Sequence, residues 1–253
     1  TVAEAARNLV CSGARPLGST DNLNFGNPHN PELFWQLKES VRGLAEACEA
    51  FNTPVTGGNV SLYNQNPAGA IDPTPTVGMV GIIDNPENIT SQWFKDEGDA
   101  VILLGEPFNP EDALLGLGGS ALLQVEYDKK EGTPPPCDLE KEKLLQDAML
   151  GLIETGAVKS AHDCSEGGLA VALAECAISE LTARQSPNLT GADLDLSEIE
   201  CARIDVLLFS ENHGRVVITT SEAEAGAAVE RAKLLGVPAQ RIGTVTSGDA
   251  LNI

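Results

Sequence analysis

Two glycines followed at once by small polar residues interrupt a strand-like stretch, TPVTGGNVSLYN, at residues 53–64. Gly57 and Gly58 can bring the backbone close to a ligand, because glycine carries no side chain that would hold the ligand away. The amide oxygen of Asn59 suits a hard cation, and the hydroxyl of Ser61 suits a polar substrate. The same pattern also fits a glycine bulge in an ordinary strand, so the residues alone leave both interpretations open.

A second polar cluster, STDNLNFGNP, follows a short strand-like stretch and contains Asp21, Asn22 and Asn24. Side chains at the carboxyl end of a strand in an α/β sheet are well placed to bind a small molecule. Asn, Gly and Pro are also common turn formers, so an Asx turn that leads to a helix capped by Asn30 is the competing interpretation.

A third cluster places Asp163 and Glu166 three residues apart, directly before a Gly-Gly pair that opens a helix. One interpretation is an N-cap with acidic residues at the positive end of the helix dipole. The other is a metal-binding carboxylate beside glycines whose N–H groups approach a phosphate. His162 alone is more typical of a structural hydrogen bond, and GLGGS at 116–120 is a phosphate-loop candidate of low specificity.

Several standard catalytic and binding motifs are absent from the sequence. It contains no GxxxxGK[ST] loop, no GxGxxG fingerprint, no GxSxG elbow and no HExxH pair. The three histidines, at positions 29, 162 and 213, have no neighbours with the spacing of a zinc site. Nucleophile-and-base catalysis is therefore poorly supported.

The amino-acid composition limits the classes of molecule that the protein is expected to bind. The 253 residues include 37 Asp and Glu against 16 Lys and Arg, a net charge of −21, which argues against nucleic acid and anionic membranes as partners. That charge is compatible with a Mg²⁺–nucleotide complex, because the metal brings the positive charge. The six cysteines form no CxxC pair, which indicates reduced thiols. With no signal peptide or long apolar run, we expect a soluble cytoplasmic protein.

Hydrophobic spacing predicts an α/β layer in the first part of the chain. A helix over residues 2–12 precedes a short strand that runs into the polar loop. A long helix then starts at the Asn30 cap, and strands follow at 53–64 and 74–84. The long helix has one predicted apolar face: Phe34, Leu37, Val41, Leu44, Cys48 and Phe51.

The second part of the chain reads as α+β, and the polar composition before it predicts a domain boundary near residue 95. Strands are predicted at 97–106, 201–211, 215–220 and within 239–253, and helices at 139–156, 167–180 and 222–235. The first of these helices is predicted to turn four residues inward: Leu144, Leu145, Met149 and Leu152.

Five segments resemble one enzyme family in their order along the chain: AEAARNLVCSGA, TDNLNFGNP, PVTGGNVSLYN, HDCSEGGLAVALAE and LLFSENHGR. The family is the large subunit of phosphoribosylformylglycinamidine synthase. It is part of a superfamily with aminoimidazole ribonucleotide (AIR) synthetase, selenophosphate synthetase, thiamine-phosphate kinase and a hydrogenase maturation protein. The resemblance covers nearly the whole chain and is least distinctive at residues 125–140 and 181–200.

The resemblance implies two tandem repeats in the family's chain, each an ATP-binding α/β domain followed by an α+β domain. Residues 1–95 would then be a truncated AIR synthetase N-terminal-like domain that lacks its opening strands, and residues 96–253 an AIR synthetase C-terminal-like domain. We therefore expect the sequence to be most of the second repeat. The family's catalytic histidines lie in the first repeat, so the resemblance places no catalytic residue in this segment and implies no activity for it alone.

The family reaction implies ATP and Mg²⁺ as cofactors. ATP phosphorylates the amide oxygen of formylglycinamide ribonucleotide (FGAR), and ammonia displaces the phosphate to give the amidine. The resemblance assigns nucleotide contacts to Asp21 and the Gly58 backbone, a magnesium ligand to Asn59 and a substrate contact to Ser61. By the pseudo-symmetry of the repeats, it makes Asp163 a further magnesium ligand.

The implied partners are the remaining first half of the same polypeptide, a glutaminase subunit, a small bridging subunit and FGAR. Two other interpretations stay open: a non-catalytic, pseudo-symmetric half whose nucleotide site serves stability or assembly, and a complete small kinase-like relative. The sequence does not determine the oligomeric state.

Overall fold

A computed structural model describes residues 1–106, 116–178, 189–201 and 203–253. The chain divides into two compact units. The first consists of Thr1–Val10 and Ala14–Asp84, and the second of Cys11–Gly13 and Asn85–Ile253. The domain limits inferred from composition, 1–95 and 96–253, stay predictions.

The first unit is built on a three-stranded sheet in the order β2-β1-β5. Its elements are α1 (Val2–Cys11), β1 (Arg15–Asn24), α2 (Pro31–Phe51), β2 (Val55–Ser61), β3 (Gln65–Asn66), β4 (Gly69–Ala70) and β5 (Thr74–Ile82). The central strand β1 is parallel to β2 and antiparallel to β5, while β3 and β4 form a separate hairpin. The strand–helix–strand order confirms the predicted α/β layer.

Helix α2 begins where the sequence predicts. The Asn30 side chain accepts a hydrogen bond from the Glu32 amide at 2.9 Å, and the helix ends at Asn52 in the left-handed conformation. Its buried residues lie near its end: Ala47, Cys48 and Phe51. The predicted apolar face is wrong at Phe34 and Val41, which are 52% and 43% exposed. Hydrophobic spacing identifies a face of a helix but does not show that another element covers it.

Strand β1 corrects the prediction of a polar loop after a short strand. The strand continues to Asn24, because β2 and β5 pair with it on both sides throughout its polar half. Backbone pairing on two sides therefore outweighs the turn preference of Asp and Asn. On its covered face, Leu23 is buried, and the Ser19 hydroxyl donates to the Thr53 carbonyl at 3.0 Å.

The second unit is built on a six-stranded sheet in the order β11-β8-β10-β6-β9-β7, antiparallel except between β8 and β11. Its strands are β6 (Ala100–Gly105), β7 (Val158–Asp163), β8 (Gly191–Leu194), β9 (Arg215–Thr220), β10 (Ala239–Thr246) and β11 (Leu251–Asn252). Its helices are α3 (Ala121–Tyr127), α4 (Leu139–Glu154), α5 (Gly168–Ile178), α6 (Ile204–Phe209) and α7 (Glu222–Leu234), with a 3-10 turn at Pro86–Asn88. This arrangement confirms the α+β prediction.

One hydrophobic core of the second unit packs against its sheet. Its buried residues include Val101, Leu173, Val217 and Ile242. Helix α4 buries three of the residues predicted to point inward: Leu145, Met149 and Leu152. The prediction is wrong for Leu144, which is 48% exposed. No helix in the described part of the chain is both long and apolar enough to cross a membrane.

The predicted strand at 201–211 is wrong, because residues 204–209 form α6, which packs against α5. A short apolar run does not distinguish a strand from a buried helix. Here the adjacent residues Val206 and Leu207 are both buried, which one face of a strand would not allow. The elements β7, β8 and α3 were missed. The predicted helix at 167–180 is observed as α5, and residues 179 and 180 lie outside the described residues.

Candidate functional site

The parallel pairing of β1 and β2 brings together the polar residues of two distant segments. Three pairs face each other in register: Asp21 with Gly58, Asn22 with Asn59, and Asn24 with Ser61. Residues paired in a sheet point to the same side, and successive residues alternate between the two sides. The first pair therefore lies on the face that carries buried Leu23, and the other two pairs lie on the opposite face.

We call the four polar residues of that opposite face the amide ladder: Asn22, Asn24, Asn59 and Ser61. The Asn59 Nδ2 donates to the Asn22 Oδ1 at 3.1 Å. Because the NH₂ group makes this contact, the carbonyl oxygen of Asn59 is not used in it and can serve another partner. A carbonyl oxygen of this kind is a suitable ligand for Mg²⁺.

The sequence singled out Asn22 as one of three candidate ligand residues but did not predict its hydrogen bond to Asn59. The resemblance assigned Asn22 no role. Its role as the partner that orients Asn59 depends on strand register, which brings together residues 37 positions apart. The signal available in the sequence was the presence of Asn in both polar segments.

The two glycines of the opening segment have different surroundings. A Cβ on Gly58 would lie 2.4 Å from Asp21 Oδ1 and 2.8 Å from the Asp21 carbonyl oxygen. A Cβ on Gly57 would meet no atom within 4 Å. Gly58 is therefore required by the close approach of Asp21. The register irregularity in this pairing lies between Ser19 and Thr20, before the regular stretch that carries the site residues.

Asp163 lies in the second unit, at the end of β7, and is 3% exposed. The Ser165 hydroxyl donates to its carboxylate. The neighbouring His162 places Nε2 2.7 Å from Glu175 Oε2 and Nδ1 3.7 Å from Asp163 Oδ1. Asp163 is thus a buried carboxylate that accepts a hydrogen bond from a hydroxyl two residues further along the chain.

A buried thiol in α5 lies close to this segment. Burial, followed by the charges of Cys164 and Glu175, raises the pKa of the Cys176 thiol well above its usual value. The thiol is therefore protonated at neutral pH and is not a nucleophile.

The Glu211 carboxylate lies at the two glycine-rich segments that the sequence suggested as phosphate-binding, one ending at residue 120 and the other opening α5. Its Oε1 accepts from the Ala121 amide at 2.8 Å and from the Gly167 amide at 2.9 Å. The Gly118 backbone packs so closely that a Cβ there would lie 2.0 Å from the Thr133 carbonyl oxygen. A carboxylate of the chain itself thus accepts from the amide directly after GLGGS and from an amide of the Gly-Gly pair, and the pattern of glycines alone did not reveal it.

Glu211→Ala is expected to lower the free energy of unfolding by about 2–4 kcal/mol, because two backbone amides lose a charged acceptor. Glu211→Gln is expected to cost less, since an amide oxygen can still accept. Chemical denaturation measures both changes, with exposed Glu198→Ala as the control. A Glu211→Ala protein as stable as that control would show that these two hydrogen bonds contribute nothing.

The chain matches the family models of AIR synthase related proteins, the N-terminal domain over residues 1–83 and the C-terminal domain over residues 96–253. The chain belongs to this family.

Within the family, the similar curated proteins are phosphoribosylformylglycinamidine synthase subunits named PurL. The subunit of Caldanaerobacter subterraneus is 46% identical over 98% of this chain, and that of Anaeromyxobacter dehalogenans strain 2CP-1 is 44% identical over 100%. These matches confirm the resemblance drawn from the sequence. In both cases the chain covers 32% of the relative, so it spans about a third of the length of these proteins.

Solved structures support the fold. T. maritima PurL complexed with FGAR has a TM-score of 0.72 at 20% identity, with 97% of this chain and 38% of that chain covered. The complex with ATP has a TM-score of 0.68, also at 20% identity, with 97% and 36% covered. E. coli HypE, a hydrogenase maturation protein, has a TM-score of 0.70 at 20% identity, with 99% and 73% covered. At this level of identity the likeness concerns the fold alone.

Proposed function

We propose that this chain contributes nucleotide-binding and magnesium-binding groups to a phosphoribosylformylglycinamidine synthase. The reaction would be the ATP-dependent amidation of FGAR with ammonia from glutamine. The observation that carries the proposal is the hydrogen bond of Asn59, whose NH₂ group donates to Asn22 and so leaves its carbonyl oxygen for a metal. The similarity to PurL subunits supplies the reaction to which such a group belongs.

The proposed metal ligands are the Asn59 carbonyl oxygen and the Asp163 carboxylate. Both are hard oxygen donors, which fit Mg²⁺ better than a softer metal. When bound, Mg²⁺ neutralises the charge on the transferring phosphoryl group. Asn59 in the first unit and Asp163 in the second are each proposed separately as a ligand that holds such a charge in position, because phosphoryl transfer depends mainly on positioning and electrostatic stabilisation.

The proposed nucleotide contacts are Asp21 and the backbone of Gly58, and Ser61 is the proposed contact to FGAR. Ser61 shares the amide ladder with Asn59, whereas Asp21 lies on the other face of the sheet beside Gly58. Asp21 and Asn59 therefore make separate contacts in this proposal. Gly58 lies beside Asp21 in the neighbouring strand and directly precedes Asn59, the proposed magnesium ligand. Its backbone therefore joins the proposed nucleotide contact on one face of the sheet to the proposed metal ligand on the other.

The proposal includes the other components of the synthase. The chain would function within the full-length subunit and with a glutaminase subunit and a small bridging subunit, in the cytoplasm. The chain alone would form no amidine from FGAR, ATP and ammonia, because the catalytic histidines implied by the resemblance belong to the other repeat. Measurable amidine formation by the purified chain would contradict this part of the proposal.

Asp21→Asn in the full-length subunit is expected to raise the KM for ATP roughly tenfold, because a hydrogen bond to a charged group contributes about 1.5–3 kcal/mol. Steady-state kinetics with FGAR and ammonia measures this change, with exposed Asp249→Asn as the control. An unchanged KM for ATP together with a lower melting temperature would instead indicate a structural role for Asp21.

A further inference from the structure

Three side chains that differ in donor chemistry converge in the second unit, and none of them belongs to the proposed nucleotide site. The Cys137 sulfur, a Glu142 carboxylate oxygen and a His213 ring nitrogen all lie within 4.8 Å of one another. The histidine pattern in the sequence did not reveal this cluster, because the other two donors come from a distant segment.

Two of the three donors are fixed by the start of α4. Cys137 directly precedes Asp138, whose Oδ1 accepts from the Glu140 and Lys141 amides at 3.1 and 3.2 Å as the helix N-cap. Glu142 follows in the first turns of the same helix and is 1% exposed. The exposed Cys137 side chain is therefore tied to a well-defined helix start, next to a buried carboxylate.

The third donor lies on a loop that packs tightly against the end of β6. His213 precedes Gly214, which has a φ of +73°. A Cβ on Gly105 would lie only 1.8 Å from the Gly214 carbonyl oxygen, and the Glu106 amide donates to that oxygen at 3.3 Å. The close approach of two backbones fixes the position of the loop, and with it the position of the histidine.

The buried carboxylate is directed at that loop. Glu142 Oε1 lies 3.7 Å from the position that a Cβ would occupy on Gly214, and Gln146 Nε2 lies 3.4 Å from Glu142 Oε2. Removing a carboxylate from water is costly, and a nearby cation stabilises the ionised form. A divalent ion between Glu142 and the histidine loop would accept this carboxylate as a ligand.

We propose that Cys137, Glu142 and His213 bind a zinc-class divalent ion. Thiolate, imidazole and carboxylate are the ligands that Zn²⁺ takes, whereas a thiolate disfavours Mg²⁺. Donor atoms around tetrahedral Zn²⁺ lie roughly 3–4 Å apart, from the usual Zn–S and Zn–N distances. Side-chain rotation of the exposed Cys137 closes the remaining distance. Three protein ligands leave a fourth position for water, and the ion would join the start of α4 to the loop before β9.

Cobalt titration tests this site, because Co²⁺ occupies zinc sites and reports its ligands by absorption. The full chain is freed of metal with a chelator, reduced and titrated with Co²⁺. We expect one ion per chain, visible bands of tetrahedral Co²⁺ and a near-ultraviolet thiolate-to-cobalt band. Stoichiometric Zn²⁺ should remove these bands, and a large excess of Mg²⁺ should not.

Three variants assign the ligands. Cys137→Ser should abolish the thiolate band, and His213→Asn should weaken Co²⁺ binding by about a hundredfold or more, since even changes outside the ligand sphere cost 10–100-fold. Cys201→Ser, at the other cysteine that is not buried, should change neither. Absence of the thiolate band in the unmodified chain, or its persistence in folded Cys137→Ser, would overturn the proposal.

Zinc protection of the thiol provides a second measurement that does not require a variant. Bound Zn²⁺ should slow alkylation of Cys137 by iodoacetamide, followed by peptide mass spectrometry, and should leave alkylation of Cys201 unchanged. Equal alkylation of Cys137 with and without Zn²⁺ would also overturn the proposal.

Discussion

Gly58→Ala is expected to destabilise the first unit and to abolish the proposed nucleotide contact, whereas Gly57→Ala is expected to preserve both. The added methyl group on Gly58 would lie 2.4 Å from Asp21 Oδ1 and 2.8 Å from the Asp21 carbonyl oxygen. One of these neighbours is backbone paired in the sheet, so the side chain cannot relieve the whole overlap by rotating. Overpacking of this kind costs about 1–3 kcal/mol.

Gly57 is the matched control, because it differs from Gly58 in its surroundings and not in its residue type. Its added methyl group would meet nothing within 4 Å, and neither glycine has a positive φ. Alanine at such a position stabilises a protein by about 0.4–1 kcal/mol, because it lowers the conformational entropy of the unfolded chain.

Thermal unfolding of the two variants measures the difference. For a unit of this size, each kcal/mol shifts the melting temperature by roughly 4–8 °C. Gly58→Ala should therefore melt well below the unmodified chain, and Gly57→Ala should melt at or above it. Equal melting temperatures for the two variants would contradict the close approach of Asp21 to Gly58.

The parts of the fold that the sequence predicted are those with strong local signals. Helix α2 starts at Asn30 and Pro31 because a cap and a proline act on their own first turn. The helix at α6 and the long strand β1 were not predicted, because both depend on contacts from elsewhere. Val206 and Leu207 are buried beside α5, and Asp21 and Asn22 are strand residues because two neighbouring strands pair with them.

The candidate site follows the same division between local and distant information. Gly58 and Asn59 were singled out from their own segment, because glycines beside small polar residues are unusual in a strand. The contacts of Asn22 and Glu211 could not be predicted from the residues next to them in the sequence. Asn22 depends on the register of two strands, and Glu211 reaches amides 90 and 44 residues away in the sequence.

The second large effect is expected from Asn59→Ala in the full-length subunit. The change removes the proposed magnesium ligand, and turnover should fall by about a hundredfold or more, as it does when a group that stabilises the transition state is lost. Asn59 lies on an exposed strand, so stability should change by no more than about 0.5 kcal/mol. Asn22→Ala should have a smaller effect in the same direction, because Asn22 positions Asn59 and does not bind the metal itself.

The most direct test of the proposed role in catalysis is the turnover of the Asn59→Ala subunit as a function of Mg²⁺, at saturating ATP, FGAR and ammonia. The melting temperature is measured on the same sample, and Asn66→Ala, an exposed amide in the β3–β4 hairpin, is the control. We predict a loss of turnover of about a hundredfold that excess Mg²⁺ partly restores, with an unchanged melting temperature. Turnover equal to that of the control, together with a lower melting temperature, would contradict the proposed role. That result would indicate that this half of the subunit serves stability or assembly and not catalysis.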